Sequence, residues 1–233
     1  ADGTKYWEYL LLYTDDCLCA SETPNETLRK DIGRFFELKE ESIGPPKIYL
    51  GGGVRKVTLN NGVDAWAVSS SQYVQAAVKN VETYLEKQER WKLPTGAETP
   101  LVTSYRPELD ISPELNDADA AYYMSLIGIL RWMVELGRVD ICLEVSMMSS
   151  HLALPREGHL EQLFHIFAHL KKYHNAEQVY DPSEPEIDKS KFEQRDWTAS
   201  EFGHIQGQEE LPANMPEPRG MGFTMRAMVD ADH

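Results

Sequence analysis

Apolar and polar positions alternate along the first third of the chain in short blocks. Tyr6–Tyr13 and Cys17–Ala20 are apolar runs around the polar step Thr14-Asp15-Asp16, a pattern that predicts two strands joined by a tight turn. Both faces of Tyr9-Leu10-Leu11-Leu12 are apolar, so this arm is expected to be a strand buried on both sides. Thr23-Pro24-Asn25-Glu26 has the form of a capping box with proline at the first helical position. Leu28, Ile32 and Phe35 follow at helical spacing until Gly44-Pro45-Pro46. Lys47–Leu50 reads as a strand ending at Gly51-Gly52-Gly53. Arg55–Leu59 and Val63–Ser69 flank Asn60-Asn61-Gly62, a strong hairpin signal.

From Ser69 onward the period changes from two to about 3.6. Ser69 and Gln72 open a helix with Val74, Val78, Val81 and Leu85 on one stripe. Pro94 to Pro113 predicts an extended connection. Residues 117–136 place Tyr123, Leu126, Ile127, Leu130 and Val134 on one face, and Gly137 ends them. Asp140 is expected to cap a helix running through Leu152. Pro155 opens another, with Leu160, Leu163, Phe164, Phe167 and Leu170 inward. Short loops between these segments predict a small antiparallel bundle. After His174 the periodicity dissolves among Pro182, Pro185, Pro212, Pro216 and Pro218, until a short apolar segment, Gly222–Val229, leads into Asp230-Ala231-Asp232.

Composition narrows the class. With 233 residues and 42% hydrophobic content, a folded chain with one sizeable or two modest cores is expected. No run reaches the roughly 18 apolar residues of a membrane span. The opening Ala1-Asp2-Gly3-Thr4-Lys5 has no basic region followed by an apolar stretch, so no secretory signal is expected, and the missing initiator methionine fits a fragment as well as a processed or excised chain. Cys17, Cys19 and Cys142 form neither a CxxC pair nor an even framework, which points to a reducing, intracellular setting.

The net charge of −15 runs against the usual basic surface of a nucleic-acid binder. It is uneven: residues 175–220 carry 11 Asp/Glu against 4 Lys/Arg, net −7. The remainder leaves room for a basic patch; Lys171-Lys172 and Lys87, Arg90 and Lys92 read equally well as phosphate contacts or as solvated helix ends. His165 and His169 stand four apart, with His159 and His174 nearby, but no HExxH accompanies them; exposed or core-rim histidines are the expectation. Trp91, Trp132 and Trp197 are expected in the core or at its boundary rather than as base-stacking platforms.

The chemistry concentrates at Tyr13-Thr14-Asp15-Asp16. A hairpin holds adjacent carboxylates rigidly at a sheet edge, the hard oxygen donors that magnesium prefers. The chain resembles the copia-type reverse transcriptases of LTR retrotransposons. YLLLYTDDCLCAS at 9–21 resembles their catalytic hairpin, and KIYLGG at 47–52 the strand that follows. SSSQYVQAAVKNV at 69–81 is similar to their next helix, and residues 122–173 to their long helical segment. MRAMVDADH at 225–233 resembles the opening of the attached RNase H domain.

The expected fold is α+β in four parts: the resemblance implies a partial polymerase palm at 1–69, a helical thumb or connection region at 70–174 and the first strand of an RNase H domain at 221–233, and the prolines and acidic excess make 175–220 an acidic linker. The resemblance implies that Asp15 ligates a catalytic metal and that Asp16 is a second, more peripheral carboxylate. Tyr13 would lie beneath the primer terminus, Thr14 at the turn, and Tyr49, Leu50 and Gly51 near the primer-supporting hairpin. Asp230 would be the first RNase H metal ligand. The implied activity is RNA-directed DNA synthesis with two Mg2+ ions, acting on a primer-template and dNTPs. Twelve residues precede Tyr13 and three follow Asp230, so both centres would be completed by finger, palm and RNase H segments of the same polyprotein. The isolated chain is expected to be inactive and to hold Mg2+ weakly. The rival reading is a remnant acting as an acidic helical interaction module.

Overall fold

The computed structural model describes residues 8–88 and 92–183, together with Asn214. Its elements mix helix and sheet, the α+β class expected. The described residues divide into two compact units, one built around Cys19–Glu40, the other from Leu12–Leu18 and the described part of Glu41–Asp181.

The first hairpin pairs β1 (Tyr9–Tyr13) with β2 (Asp16–Ala20) as a two-stranded sheet. The expected burial of its apolar arm does not occur. Tyr9 is 63% exposed, Leu11 48% and Leu12 67%; β1 pairs with β2 alone, and strand pairing covers an edge of a ribbon, not the faces that carry its side chains.

In the first unit, α1 (Pro24–Glu26) continues into a π-helical turn, Thr27–Ile32. The expected capping box is not made. The Thr23 side chain caps nothing, and its carbonyl instead accepts from the Glu26 and Thr27 amides. Nor does the helix reach Gly44. The Gly33 amide donates to the Leu28 carbonyl, closing the wide turn, and Phe35 and Phe36 stay exposed. A Cβ at residue 33 would lie 2.4 Å from the Arg29 carbonyl oxygen, so glycine permits this ending.

The second unit is built on an antiparallel sheet in the order β3 (Ile48–Tyr49), β4 (Gly52–Thr58), β5 (Asp64–Ser69), β6 (Glu177–Tyr180). The β4–β5 hairpin forms where Asn60-Asn61-Gly62 predicts it. The Gly62 amide donates to the Leu59 carbonyl with φ 81° at the glycine, the three-residue loop that ends in a left-handed residue. Strand β6 falls inside the segment assigned by composition to a linker. It pairs with β5 from Trp66↔Tyr180 to Ser69↔Glu177, and Arg55 on β4 reaches across to grip Glu177 through Nε at 3.0 Å and Nη2 at 2.5 Å. Four residues carry too little pattern for β6 to be read locally; the exposed edge of β5 supplies its pairing.

Ala65 and Ala67 turn one face of β5 inward, and α2 (Ser71–Gln88) packs against β4 and against α5 (Glu157–Lys172). The α2 stripe is as expected: Val74, Val78, Val81 and Leu85 are buried. Helix α3 (Asp117–Glu135) is capped by Asn116, whose side chain accepts from the Asp119 amide. On α3, Met133 takes the buried place expected of Val134, which is half-buried. The helix ends in a Schellman motif: Gly137 has φ 97°, its amide donates to Val134, and the Arg138 amide donates to Met133.

Asp140 does not cap the next helix. A 3-10 turn, Val139–Ile141, precedes α4 (Cys142–Ser149), and the Asp140 carboxylate is engaged by the Arg138 guanidinium at 2.8 and 2.7 Å. Within the core the Tyr123 hydroxyl on α3 donates to the Met148 carbonyl on α4 at 2.7 Å. Helix α5 buries Leu160, Leu163, Phe164, Phe167 and Leu170 as its spacing predicts. Among the described residues no helix is long and apolar enough to cross a membrane.

Two of the histidines differ from expectation: His159 and His169 are buried, whereas His165 and His174 are half-buried. His159 is a structural cap. Its Nδ1 accepts from the Arg156 amide at 3.1 Å, and its Nε2 lies 3.1 Å from the Pro107 carbonyl. The neutral tautomer with the proton on Nε2 satisfies both contacts.

Candidate functional site

The hairpin joining β1 to β2 turns through Thr14 and Asp15 alone, leaving Asp16 as the first residue of β2. Thr14 adopts φ 52°. Positive φ at the first central position lets a two-residue loop follow the twist of its strands, but a β-branched residue adopts it at a cost. Both aspartates are exposed. Among the described residues the Asp15 carboxylate has no hydrogen bond or ion pair, whereas one oxygen of Asp16 accepts from the Leu50 amide at 3.3 Å.

Leu50 belongs to a second tight turn. Tyr49 pairs with Gly52 across a two-residue loop in which Leu50 has φ 51° and Gly51 φ 84°. Two successive positive φ values define a type I′ turn, where Gly51 is at ease and Leu50 is not. Thr14 and Leu50 are the non-glycine residues with positive φ among those described, and one hydrogen bond joins their turns. Strained backbone concentrates where surrounding structure holds it for a purpose.

The Tyr13 ring, 52% exposed, lies with its centroid 6.1 Å from that of Trp132 on α3, tilted by 42°. This is the range of a favourable tilted aromatic pair. Trp132, expected in the core or at its boundary, is half-buried, but its contact with the hairpin tip has no signature in helical periodicity.

The structure therefore brings together Tyr13, Thr14, Asp15, Asp16, Leu50 and Gly51, with Tyr49 half-buried in β3 beside the turn. Asp230, with Trp91 and Trp197, lies outside the described residues. The donor set at the tip fits a hard cation in kind, since carboxylate oxygens open to solvent are what magnesium binds alongside retained waters. It falls short in number: among the described residues no group of three His, Cys, Asp or Glu side chains is placed to hold a metal.

Elsewhere, a cleft of about 410 Å³ lies beside α5, lined by Lys92, Val102, Glu161, Phe164 and His165 among others. Burial lowers the His165 pKa, outweighing a backbone hydrogen bond at Thr99 that raises it. Lys171 and Lys172, candidates for phosphate contact, pair with Glu82 and Glu98.

Fold and site together describe an α+β protein that presents two adjacent aspartates on a tight hairpin tied to a second tight turn. A Saccharomyces cerevisiae protein described as a transposon Ty5-1 protein is 27% identical to the chain over 164 residues, covering 70% of this chain and 48% of that protein. The similarity supports a transposon-derived chain, and the chain spans about half the length of the curated relative it matches. No family model and no solved structure matches it.

Proposed function

We propose that the chain is the hairpin-to-thumb portion of a copia-type reverse transcriptase, the RNA-directed DNA polymerase of an LTR retrotransposon. The observation that carries the reading is the hydrogen bond between Asp16 and Leu50. It unites two segments, 9–21 and 47–52, that resemble separate parts of one polymerase centre. The similarity to a transposon protein supports the same reading.

In this reading Asp15 offers an unencumbered carboxylate to a Mg2+ ion. Metal bound there would activate the primer 3′-hydroxyl and neutralise charge on the dNTP phosphates. Tyr13 presents a half-open ring beneath the primer terminus, and the 49–51 turn lies where the primer backbone would be supported. Asp230 would begin an RNase H centre. The two carboxylates of the tip do not complete a two-metal site, and a lone exposed turn holds Mg2+ weakly because that ion gives up its waters reluctantly. The net charge of −15 further opposes template binding. In this reading polymerase activity requires a third carboxylate and nucleotide-gripping segments beside the described hairpin.

The test is primer extension on a primed RNA template with Mg2+ or Mn2+ and dNTPs, comparing residues 1–233 with a chain extended upstream. The extended chain should synthesise DNA, and Asp15→Asn should reduce its rate by several orders of magnitude, while 1–233 alone should be silent. Synthesis by the extended chain that survives Asp15→Asn would defeat the assignment.

A further inference from the structure

We infer that Asp16 positions the hairpin tip instead of serving as a second metal ligand, and that Trp132 supplies the other half of the brace. This rests on the polymerase reading above. The two aspartates are adjacent in sequence but not equivalent in surroundings. Asp15 sits in the loop, and among the described residues its carboxylate has no partner. Asp16 begins β2, and its Oδ2 takes the Leu50 N–H at 3.3 Å. One Asp16 oxygen is thereby oriented by the Leu50 amide, while both Asp15 oxygens stay free to turn toward a cation.

The hydrogen bond also has work to do. Thr14 at φ 52° and Leu50 at φ 51° are both costly conformations for residues with a Cβ. Left untied, each turn has reason to relax, and relaxation of either would move the backbone that aims Asp15. The Asp16–Leu50 bond fastens the tip to the sheet. The Tyr13–Trp132 contact fastens it to α3, where the neighbouring Met133 and Leu130 are fully buried and fix the helix in the core. A tip held at two points can present Asp15 in one orientation, and catalysis depends on such preorganisation.

The brace is testable without any catalytic readout, in residues 1–233, by amide exchange at Leu50 and by fluorine NMR with 5-fluorotryptophan. Trp132→Phe assigns the Trp132 resonance. Asp16→Ala should lower Leu50 protection about fivefold, the effect of one modest hydrogen bond. Asp16→Asn should largely preserve that protection, because its amide oxygen still accepts the N–H. Asp15→Ala should leave it unchanged, and Tyr13→Ala should shift the Trp132 resonance. With Mn2+ as probe, relaxation at the tip should disappear in Asp15→Asn and persist in Asp16→Asn.

Unchanged Leu50 protection in Asp16→Ala would overturn the brace. So would equal loss of protection in Asp16→Asn and Asp16→Ala, which would mean the charge matters and not the acceptor. Equal loss of Mn2+ relaxation in Asp15→Asn and Asp16→Asn would overturn the division of roles. Failure of primer extension in a longer chain would remove the polymerase reading while leaving the exchange results standing, so the two ideas fail separately.

Discussion

Replacing Asp140 with alanine should cost more stability than replacing the buried arginine it holds. The Arg138 side chain is 1% exposed, its Nε and Nη2 donate to the two Asp140 oxygens at 2.8 and 2.7 Å, and its Nη1 is buried with no partner among the described residues. Asp140→Ala strands a guanidinium in the interior. For a fully buried pair that loss runs to about 3–5 kcal/mol. Because the Asp140 side chain is 41% exposed, water can reach part of the vacated site, and about 2–3 kcal/mol is the expected cost. Arg138→Met removes the charge, keeps most of the volume and leaves a carboxylate that water can solvate, so about 0–1.5 kcal/mol is expected.

In the Arg138→Met background Asp140→Ala should then be nearly neutral, a coupling of about 2 kcal/mol. Urea denaturation of residues 1–233 followed by circular dichroism gives these values as midpoint shifts at constant slope. Burial pushes the Asp140 pKa up, but the hydrogen bonds and charge of Arg138, its own backbone amide and the nearby His169 together hold it below the usual carboxylate value. A depressed folded pKa means that this contribution is complete above about pH 4 and fades as pH falls through the folded value. The gap between wild type and Asp140→Ala should narrow in acid. Should Arg138→Met prove as damaging as Asp140→Ala, or should the double variant equal the sum of the singles, the stranded-charge account is wrong.

Gly158→Ala should destabilise the fold by about 1–3 kcal/mol in the same assay. Its Cβ would lie 1.9 Å from Asp110 Oδ2, a carboxylate held by the Tyr105 hydroxyl at 2.6 Å and the Ser112 amide at 2.8 Å. Gly51→Ala meets no atom within 4 Å but must adopt φ 84°, so a melting curve should register only the backbone cost, about 1 kcal/mol. Tyr105→Phe removes a donor to Asp110 and should cost about 1–2 kcal/mol by urea titration. Burial and the Asp110 carboxylate both raise the Tyr105 pKa, so this hydroxyl remains a donor at every pH the protein tolerates.

Where a residue's environment is set by its near neighbours in sequence, the chain announced its structure. The stripes of α2 and α5 follow from 3.6-residue spacing, the Asn60-Asn61-Gly62 loop from a glycine that accepts φ 81°, and the Asp15-Asp16 turn from a polar step between apolar arms. Local pattern misled where it was asked to imply a partner. The apolar β1 arm reads as doubly buried, yet periodicity reports only that a surface is apolar, not that another layer covers it, and Tyr9, Leu11 and Leu12 stay exposed. Thr23 and Asp140 stand where caps stand, but backbone and arginine donors claimed their roles. Strand β6 depends on the unpaired edge of β5, more than a hundred residues earlier. The bond from Leu50 to Asp16 and the pairing of Tyr13 with Trp132 span 34 and 119 positions. No local rule encodes such separations. The sequence named the acidic turn; only the tertiary structure showed that of its two exposed aspartates Asp16 is tied to the Leu50 amide, because that partner lies 34 positions away.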